Sequence, residues 1–326
     1  MDATVHTLSA LGWDPGWSAA FLPHEAAGHL PGRVVAAHRD AWVVATTAGT
    51  HTAVVAGRFR FESLGPGDMP AVGDWVALAP GDQPVIQAVL PRRSAFRRYA
   101  SESNRTAGAR ATDQQVLAAN IDVALLVSGL DGDFNLRRLE RYLAVAYAGG
   151  TVPVVVLNKA DVDTNVTTHR LAAEAVAPGV PVHAISALTG AGIAELASAH
   201  LLPGATAVVL GSSGVGKSTL VNALLGEARQ RTSGIRADDS KGRHTTRHRE
   251  LIVLPSGALL VDTPGIRSLE VTGADDGIDT AFSDVAALAF DCRFRDCRHE
   301  REPGCEVTAA LVDGRLDPAR VASYRK

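Results

Sequence analysis

The 326-residue chain contains no apolar run approaching the roughly 18 residues that a membrane-spanning helix needs, so no membrane association is expected. Its first residues, MDATVHTLSALGWDPGW, carry acidic Asp2 and no basic stretch ahead of an apolar one. A secretory signal is therefore not expected, and the cytoplasm is the expected compartment. Net positive charge is also missing: 32 Lys+Arg against 35 Asp+Glu give −3, so the whole chain exerts no general pull on nucleic acid. Cysteine is scarce. Only Cys292, Cys297 and Cys305 are present, all within residues 292–305. An odd, clustered set without a secretory signal argues against a disulfide framework and for a metal. Internal repeats and low-complexity tracts are absent as well.

What is present is ample core-forming material, with 46% hydrophobic and 21% charged residues. The length suits two or three domains. Charge is concentrated locally. Residues 92–110 hold six arginines against Glu102, and residues 229–249 hold seven Lys or Arg against Asp238 and Asp239. Such clusters either contact phosphate backbones or form solvated loops and domain seams.

Residues 1–30, with Trp13, Trp17 and Phe21, read as a short helical extension. Over 31–95 the texture is five β-rich runs separated by turn residues: GRVVAAH, AWVVATT, HTAVVAGRFR, GDWVALAP and PVIQAVL. That spacing predicts a small closed β-barrel; an OB-like fold fits the length, and an SH3-like barrel is its rival. The arginine-rich stretch 91–112 lacks apolar periodicity and reads as a linker or mobile loop. Residues 96–270 then alternate apolar strands with helices, which indicates a buried, largely parallel sheet. Residues 271–326 read as mainly helical around the cysteines.

GSSGVGKST (Gly211, Ser212, Ser213, Gly214, Val215, Gly216, Lys217, Ser218, Thr219) matches G-x-x-x-x-G-K-[ST] between a strand and a helix. Glycines let backbone N–H groups turn towards phosphate oxygens, Lys217 adds a point charge at the β and γ phosphates, and Ser218 can ligate Mg²⁺. The helix N-terminus adds partial positive charge. A nucleoside triphosphate is the expected ligand. Asp262 and Gly265 of LLVDTPG end a strand where a carboxylate can hold the Mg²⁺ shell through water and an amide can meet the γ-phosphate. Asn158-Lys159-Ala160-Asp161 ends strand VPVVVL. Asp161 can accept from guanine N1–H and the 2-amino group, a donor pair adenine lacks. Lys159 can lie along the base, and Asn158 can tie loops together. Ser186-Ala187-Leu188 follows strand VHAI as a companion base contact. Guanine is expected, with the base motifs ahead of the phosphate loop, the reverse of the ordinary order. Adjacent domain termini make such a circular permutation feasible.

Between the phosphate-loop helix and the hairpin ELIVLPSGALLVDTPG lies a long polar loop that can order around Mg²⁺ and the γ-phosphate. Thr246 is the preferred Mg²⁺ ligand there, with Thr245 the alternative. Position 266 is Ile, where many GTPases carry a water-orienting Gln, so intrinsic hydrolysis is expected to be slow and partner-dependent. His244 either orients the water or is a solvated residue near phosphate. Cys292-x4-Cys297-x-His299-x5-Cys305 offers three thiolates and an imidazole, a set suited to one structural Zn²⁺. Arg293, Arg295, Arg298 and Arg301 make the knuckle locally basic, a property that favours RNA contact.

In these motifs, their order and the CRFRDCRHEREPGC spacing, the chain resembles the ribosome-small-subunit-dependent GTPase A family. The resemblance spans nearly the whole sequence, DFNLRRLERYL included. It implies an OB-type RNA-binding domain, a circularly permuted GTPase domain and a zinc domain. It further implies a role in late maturation of the 30S ribosomal subunit and its 16S rRNA, with GTP hydrolysis stimulated by the subunit. A monomer is expected.

Overall fold

A computed structural model describes residues 7–38, 40–99, 114–132, 134–226, 249–262, 275–295 and 297–325. After a 3-10 turn at Ser9–Leu11, α1 (Pro15–Glu25) starts where the Asp14 carboxylate accepts from Trp17 N and Pro15 supplies a preset φ. Its Trp17 and Phe21 are buried.

Five strands follow: β1 (Leu30–Ala37), β2 (Trp42–Thr46), β3 (Gly49–Val55), β4 (Trp75–Ala79) and β5 (Val85–Val89). They pair in the order β1-β2-β3-β5-β4, and β4 returns to β1, closing a small barrel. The β3–β5 pair is parallel and the others antiparallel. Val34, Val44, Val76, Leu78 and Ile86 fill the interior. The run expected as one strand through GRFR ends at Val55. Gly57–Glu62 form helix α2 instead, with its start near Ala56.

The stretch read as a linker is ordered at both flanks: β6 (Ala95–Tyr99) pairs antiparallel with β7 (Gln114–Ala119). Alternation across this ribbon is weak, because the register shifts at Phe96/Arg97 and obscures the period of two.

The α/β unit comprises β8 (Val123–Gly129), α3 (Leu136–Ala148), β9 (Val152–Asn158), α4 (Val166–Val176), β10 (Val182–Ala184), α5 (Ile193–His200), β11 (Thr206–Leu210), α6 (Lys217–Leu225), β12 (Arg249–Val253) and β13 (Leu259–Asp262). Strands β10-β9-β8-β11-β13 are parallel, and β12 is antiparallel to β13. Because β9 and β10 lie on one side of β8 while β11 lies on the other, the chain reverses its winding between β8 and β11. Ligand crevices of open α/β sheets form at the carboxyl ends beside such a reversal.

The barrel and the parallel sheet are continuous, since β12 also pairs with β1 at Ala36↔Glu250 and Ala37↔Arg249. Arg33 locks the same seam. Its fully buried guanidinium donates to Leu11 O, Gly73 O at 3.3 Å, Asn120 O at 3.1 Å and Thr206 Oγ1 at 2.8 Å. Burial lowers its pKa to about 10, opposed by Asp122 and Asp74, so it stays cationic at neutral pH.

Helices α7 (Asp275–Ala281), α8 (Ser283–Phe290), α9 (Glu306–Val312) and α10 (Pro318–Tyr324) complete the chain. Helix α7 crosses α3 at backbone contact: a Cβ on Gly277 would lie 2.0 Å from Ala144 O and 2.6 Å from Ala148 N. Beside the crossing, Arg320 grips Asp284 through two bonds of 2.6 and 2.7 Å and reaches Glu140 Oε1 at 3.0 Å. Arg137 donates to the same Oε1 at 2.8 Å, while the buried Oε2 has no partner among the described residues.

Candidate nucleotide site and metal cluster

Four strand ends converge at the carboxyl edge of the sheet. β11 runs straight into the glycine loop, and α6 begins at Lys217 behind left-handed Gly216 (φ +92°). Lys217 is buried and donates to Gly211 O at 2.7 Å and to Ser212 O. Ser213 and Gly214 are exposed; Ser212, Ser218 and Thr219 are half-buried. Val215 plugs the loop into the core beneath.

Asn158, at the tip of β9, is buried and bridges two loops. Its Nδ2 donates to Val215 O at 2.8 Å, and its Oδ1 accepts from Ala187 N at 2.9 Å. One carboxamide thus joins the base strand, the phosphate loop and the Ser186–Leu188 turn. The packing is close enough that a Cβ on Gly216 would sit 2.3 Å from Asn158 Nδ2. Lys159 adopts φ +68° and donates through Nζ to Gly214 O at 2.8 Å and to the Asp131 carboxylate. Ala160 N bonds Ile185 O at 3.0 Å, and Asp161 stands exposed at the crevice rim. Ser186 Oγ accepts from Thr189 N at 3.2 Å, and Leu188 is 79% exposed.

Asp262 lies at the end of β13, on the phosphate-loop side of the sheet. His244, Thr245, Thr246, Gly265 and Ile266 lie outside the described residues. Sequence reasoning missed Asp131. The readable signal was a carboxylate just beyond the apolar strand VALLVSG, level with the other strand tips.

Cys292, Cys297, His299 and Cys305 come together, their four donor atoms within 4.8 Å of one another. Both Cys292 Sγ and Cys305 Sγ lie 3.5 Å from His299 Nδ1, and 3.9 Å separates the two sulfurs. Tetrahedral zinc with Zn–S bonds of about 2.3 Å requires S···S spacings near ~3.8 Å, so the donor set fits that ion in type and dimension. His299 reaches inward through a left-handed backbone (φ +61°), and its carbonyl accepts from Thr308 Oγ1 at 3.2 Å and from Arg325. Burial opposes the Cys305 thiolate, but bonds from the Thr308 hydroxyl and amide and from His299 outweigh it and hold its pKa below the ordinary thiol value.

A glycine loop between strand and helix, a base-motif tip tied to it by Asn158, and a carboxylate at the end of β13 define a phosphate-loop GTPase. Its motifs run in circularly permuted order along the chain. The RsgA GTPase family model matches residues 89–272. The Small ribosomal subunit biogenesis GTPase RsgA of Opitutus terrae is 50% identical, over 98% of this chain and 88% of that one. Its counterpart in Streptomyces coelicolor is 47% identical, over 98% and 85% respectively. The crystal structure of YjeQ from Thermotoga maritima superposes with a TM-score of 0.66 at 27% identity, covering 91% of this chain and 96% of that one. The circularly permuted GTPase YloQ shares the fold, with a TM-score of 0.63. The chain belongs to the RsgA GTPase family, and the reaction it catalyses is GTP hydrolysis.

Proposed function

We propose that this GTPase is a late maturation factor of the 30S ribosomal subunit, a cytoplasmic monomer that binds 16S rRNA and hydrolyses GTP faster on the subunit. The observation that carries the nucleotide reading is the Asn158 carboxamide, which holds base motif and phosphate loop at one crevice. Asp161, free to face that crevice at its exposed rim, accepts from guanine N1–H and the 2-amino group. Lys159 flanks the base, and Ser186–Leu188 close over its far edge. Residues Gly211–Thr219 wrap the phosphates with backbone N–H groups, and Lys217 neutralises charge that grows on the γ-phosphoryl oxygens. Ser218 and Thr246 would hold Mg²⁺, with Asp262 supporting it, and the ion would supply further charge neutralisation at the phosphates. The Gly265 amide contacts the γ-phosphate, and His244 orients water in place of the glutamine that Ile266 replaces.

The division into an extension (1–30), an OB-like barrel (31–95), the GTPase domain (96–270) and a zinc domain (271–326) belongs to the same reading. The parallel β3–β5 pairing and the closing β1–β4 pair support the barrel assignment. One Zn²⁺ is held by Cys292, Cys297, His299 and Cys305. The purified chain is expected to contain one equivalent of zinc by elemental analysis, and Cys305→Ser less than half of that. Full zinc content in that variant would reject the ligand set.

The deciding experiment is GTP hydrolysis with and without isolated 30S subunits, ATP serving as control. Stimulation by the subunit with GTP and none with ATP is expected, with His244→Ala losing about 100-fold or more of the stimulated rate, the lower end for a positioned catalytic group. A rate indifferent to the subunit would point to a nucleotide-gated RNA-binding protein with another target. A normal stimulated rate in the variant would remove His244 from the mechanism.

A further inference from the structure

The reversal of strand winding places one carboxylate where the general fold rule puts the ligand. Asp131 follows β8, the strand flanked by β9 on one side and β11 on the other. The loops leaving β9 and β11 carry the base motif and the phosphate cradle, so Asp131 stands between them. Its carboxylate accepts from Lys159 Nζ, which also donates to the phosphate-loop carbonyl Gly214 O at 2.8 Å. The exit of β8 is tied to the base strand as well, through Leu130 N to Asn158 O at 2.9 Å.

The Lys159 backbone supports the same conclusion. It occupies the left-handed region at φ +68°, which a side chain with a Cβ adopts only at a cost. Such conformations persist where surrounding contacts over-determine them, and they cluster at ligand clamps. Here the contacts are the Ala160 amide on Ile185 O and the two acceptors of the ammonium group. A lysine beside a polyanionic nucleotide is also drawn electrostatically towards the phosphates. An opposing carboxylate just beyond β8 balances that pull.

We propose that Asp131 is a positioning residue for guanine-nucleotide binding: it fixes the Lys159 side chain between β8 and the phosphate loop, where the stem can flank the base. The assignment rests on the reading of Asn158–Asp161 as the guanine contacts. Asp131 touches neither base nor phosphate in this scheme and acts through Lys159 alone. Its loss therefore weakens binding of GDP and GTP alike and leaves the chemical step largely intact.

The test is calorimetric titration of GDP into the full-length protein and its Asp131→Asn, Lys159→Met and doubly substituted variants. Thermal unfolding of each variant verifies folding, and steady-state GTP hydrolysis runs alongside. Asp131→Asn is expected to weaken GDP binding about three- to tenfold, the scale of a half-exposed, charge-assisted contact, and to raise KM by the same factor while kcat changes less than about twofold. In the Lys159→Met background the same substitution is expected to cost nothing further, because the group it positions is gone. Asp131→Glu, which keeps the charge at a longer reach, is expected to recover part of the affinity.

Unchanged GDP affinity in Asp131→Asn overturns the proposal. So does tighter binding, which would mean that repulsion between carboxylate and phosphates outweighs positioning. Additive losses in the double variant also overturn it, since Asp131 would then act without Lys159. The underlying guanine reading is checked separately by Asp161→Asn, which is expected to shift preference from GTP towards XTP, whose 2-oxo group can accept from the new amide. If that shift occurs and Asp131→Asn is silent, only the Asp131 role fails; if the shift is absent, the base assignment fails with it.

Discussion

Gly216→Ala is expected to weaken GTP and GDP binding by roughly 30- to 5,000-fold, a larger loss than its single methyl group suggests. Two costs coincide at this position. Gly216 adopts φ +92°, outside the range an L side chain takes without strain, and the added Cβ would fall 2.3 Å from Asn158 Nδ2. Relief of the clash requires either the loop to move off its left-handed turn or Asn158 to release Val215 O. Strain of about 1–2 kcal/mol and an unmade buried amide bond of about 1–3 kcal/mol together give the stated range. Asn158 also holds Ala187 N, so the variant is expected to lose discrimination between GDP and ADP as well as affinity. Calorimetric titration of both nucleotides measures this. Affinity within threefold of the parent would mean that loop and base motif are not coupled through Asn158.

Arg320→Ala is expected to destabilise the protein by about 3–5 kcal/mol, the cost of removing one partner from a buried charge network. Arg320 is 8% exposed, and among the described residues it alone joins Asp284 of α8 to Glu140 of α3. Without it Glu140, fully buried and short of a partner at Oε2, keeps only Arg137 among the described residues. Burial disfavours the Asp284 carboxylate while Arg320 holds its pKa below the ordinary value, so Asp284 loses its stabiliser too. Urea unfolding of the variant checks the magnitude. Replacing both charges, as Glu140→Gln with Arg320→Met, is expected to cost less than Arg320→Ala alone, because no unpaired ion is then left in the interior. A loss below about 1 kcal/mol in the single variant would show that water reaches Glu140 when α10 lets go. Beside this network α7, the first described helix after β13, is anchored to α3 by the close approach at Gly277.

Much of this chemistry was legible without coordinates, and the reason is locality. The glycine loop, the Asn158–Asp161 tip and the cysteine–histidine spacing are each a contiguous segment whose residue types suffice to specify backbone shape and donor atoms. Alternating apolar strands and helices likewise identified the parallel sheet and α3, whose buried Leu139 and Leu143 recur at helical spacing. Amphipathic period failed where the register shifts, as in the β6–β7 ribbon, and where a barrel strand passes directly into the short helix α2.

What only the tertiary structure decided are the pairings between distant positions. Asp131 meets Lys159 because β8 and β9 are neighbours and both loops emerge at one edge. Arg320 meets Glu140 across 180 residues of chain, and β1 meets β12 across the barrel seam. A salt bridge or a strand pair leaves no periodic trace in either partner, since an exposed-looking arginine and a lone glutamate read alike whether solvated or buried together. The sequence by itself therefore determined the reaction class and the residues bearing its motifs. Three-dimensional packing decided how those motifs are held against one another and which carboxylates and guanidinium groups do the holding.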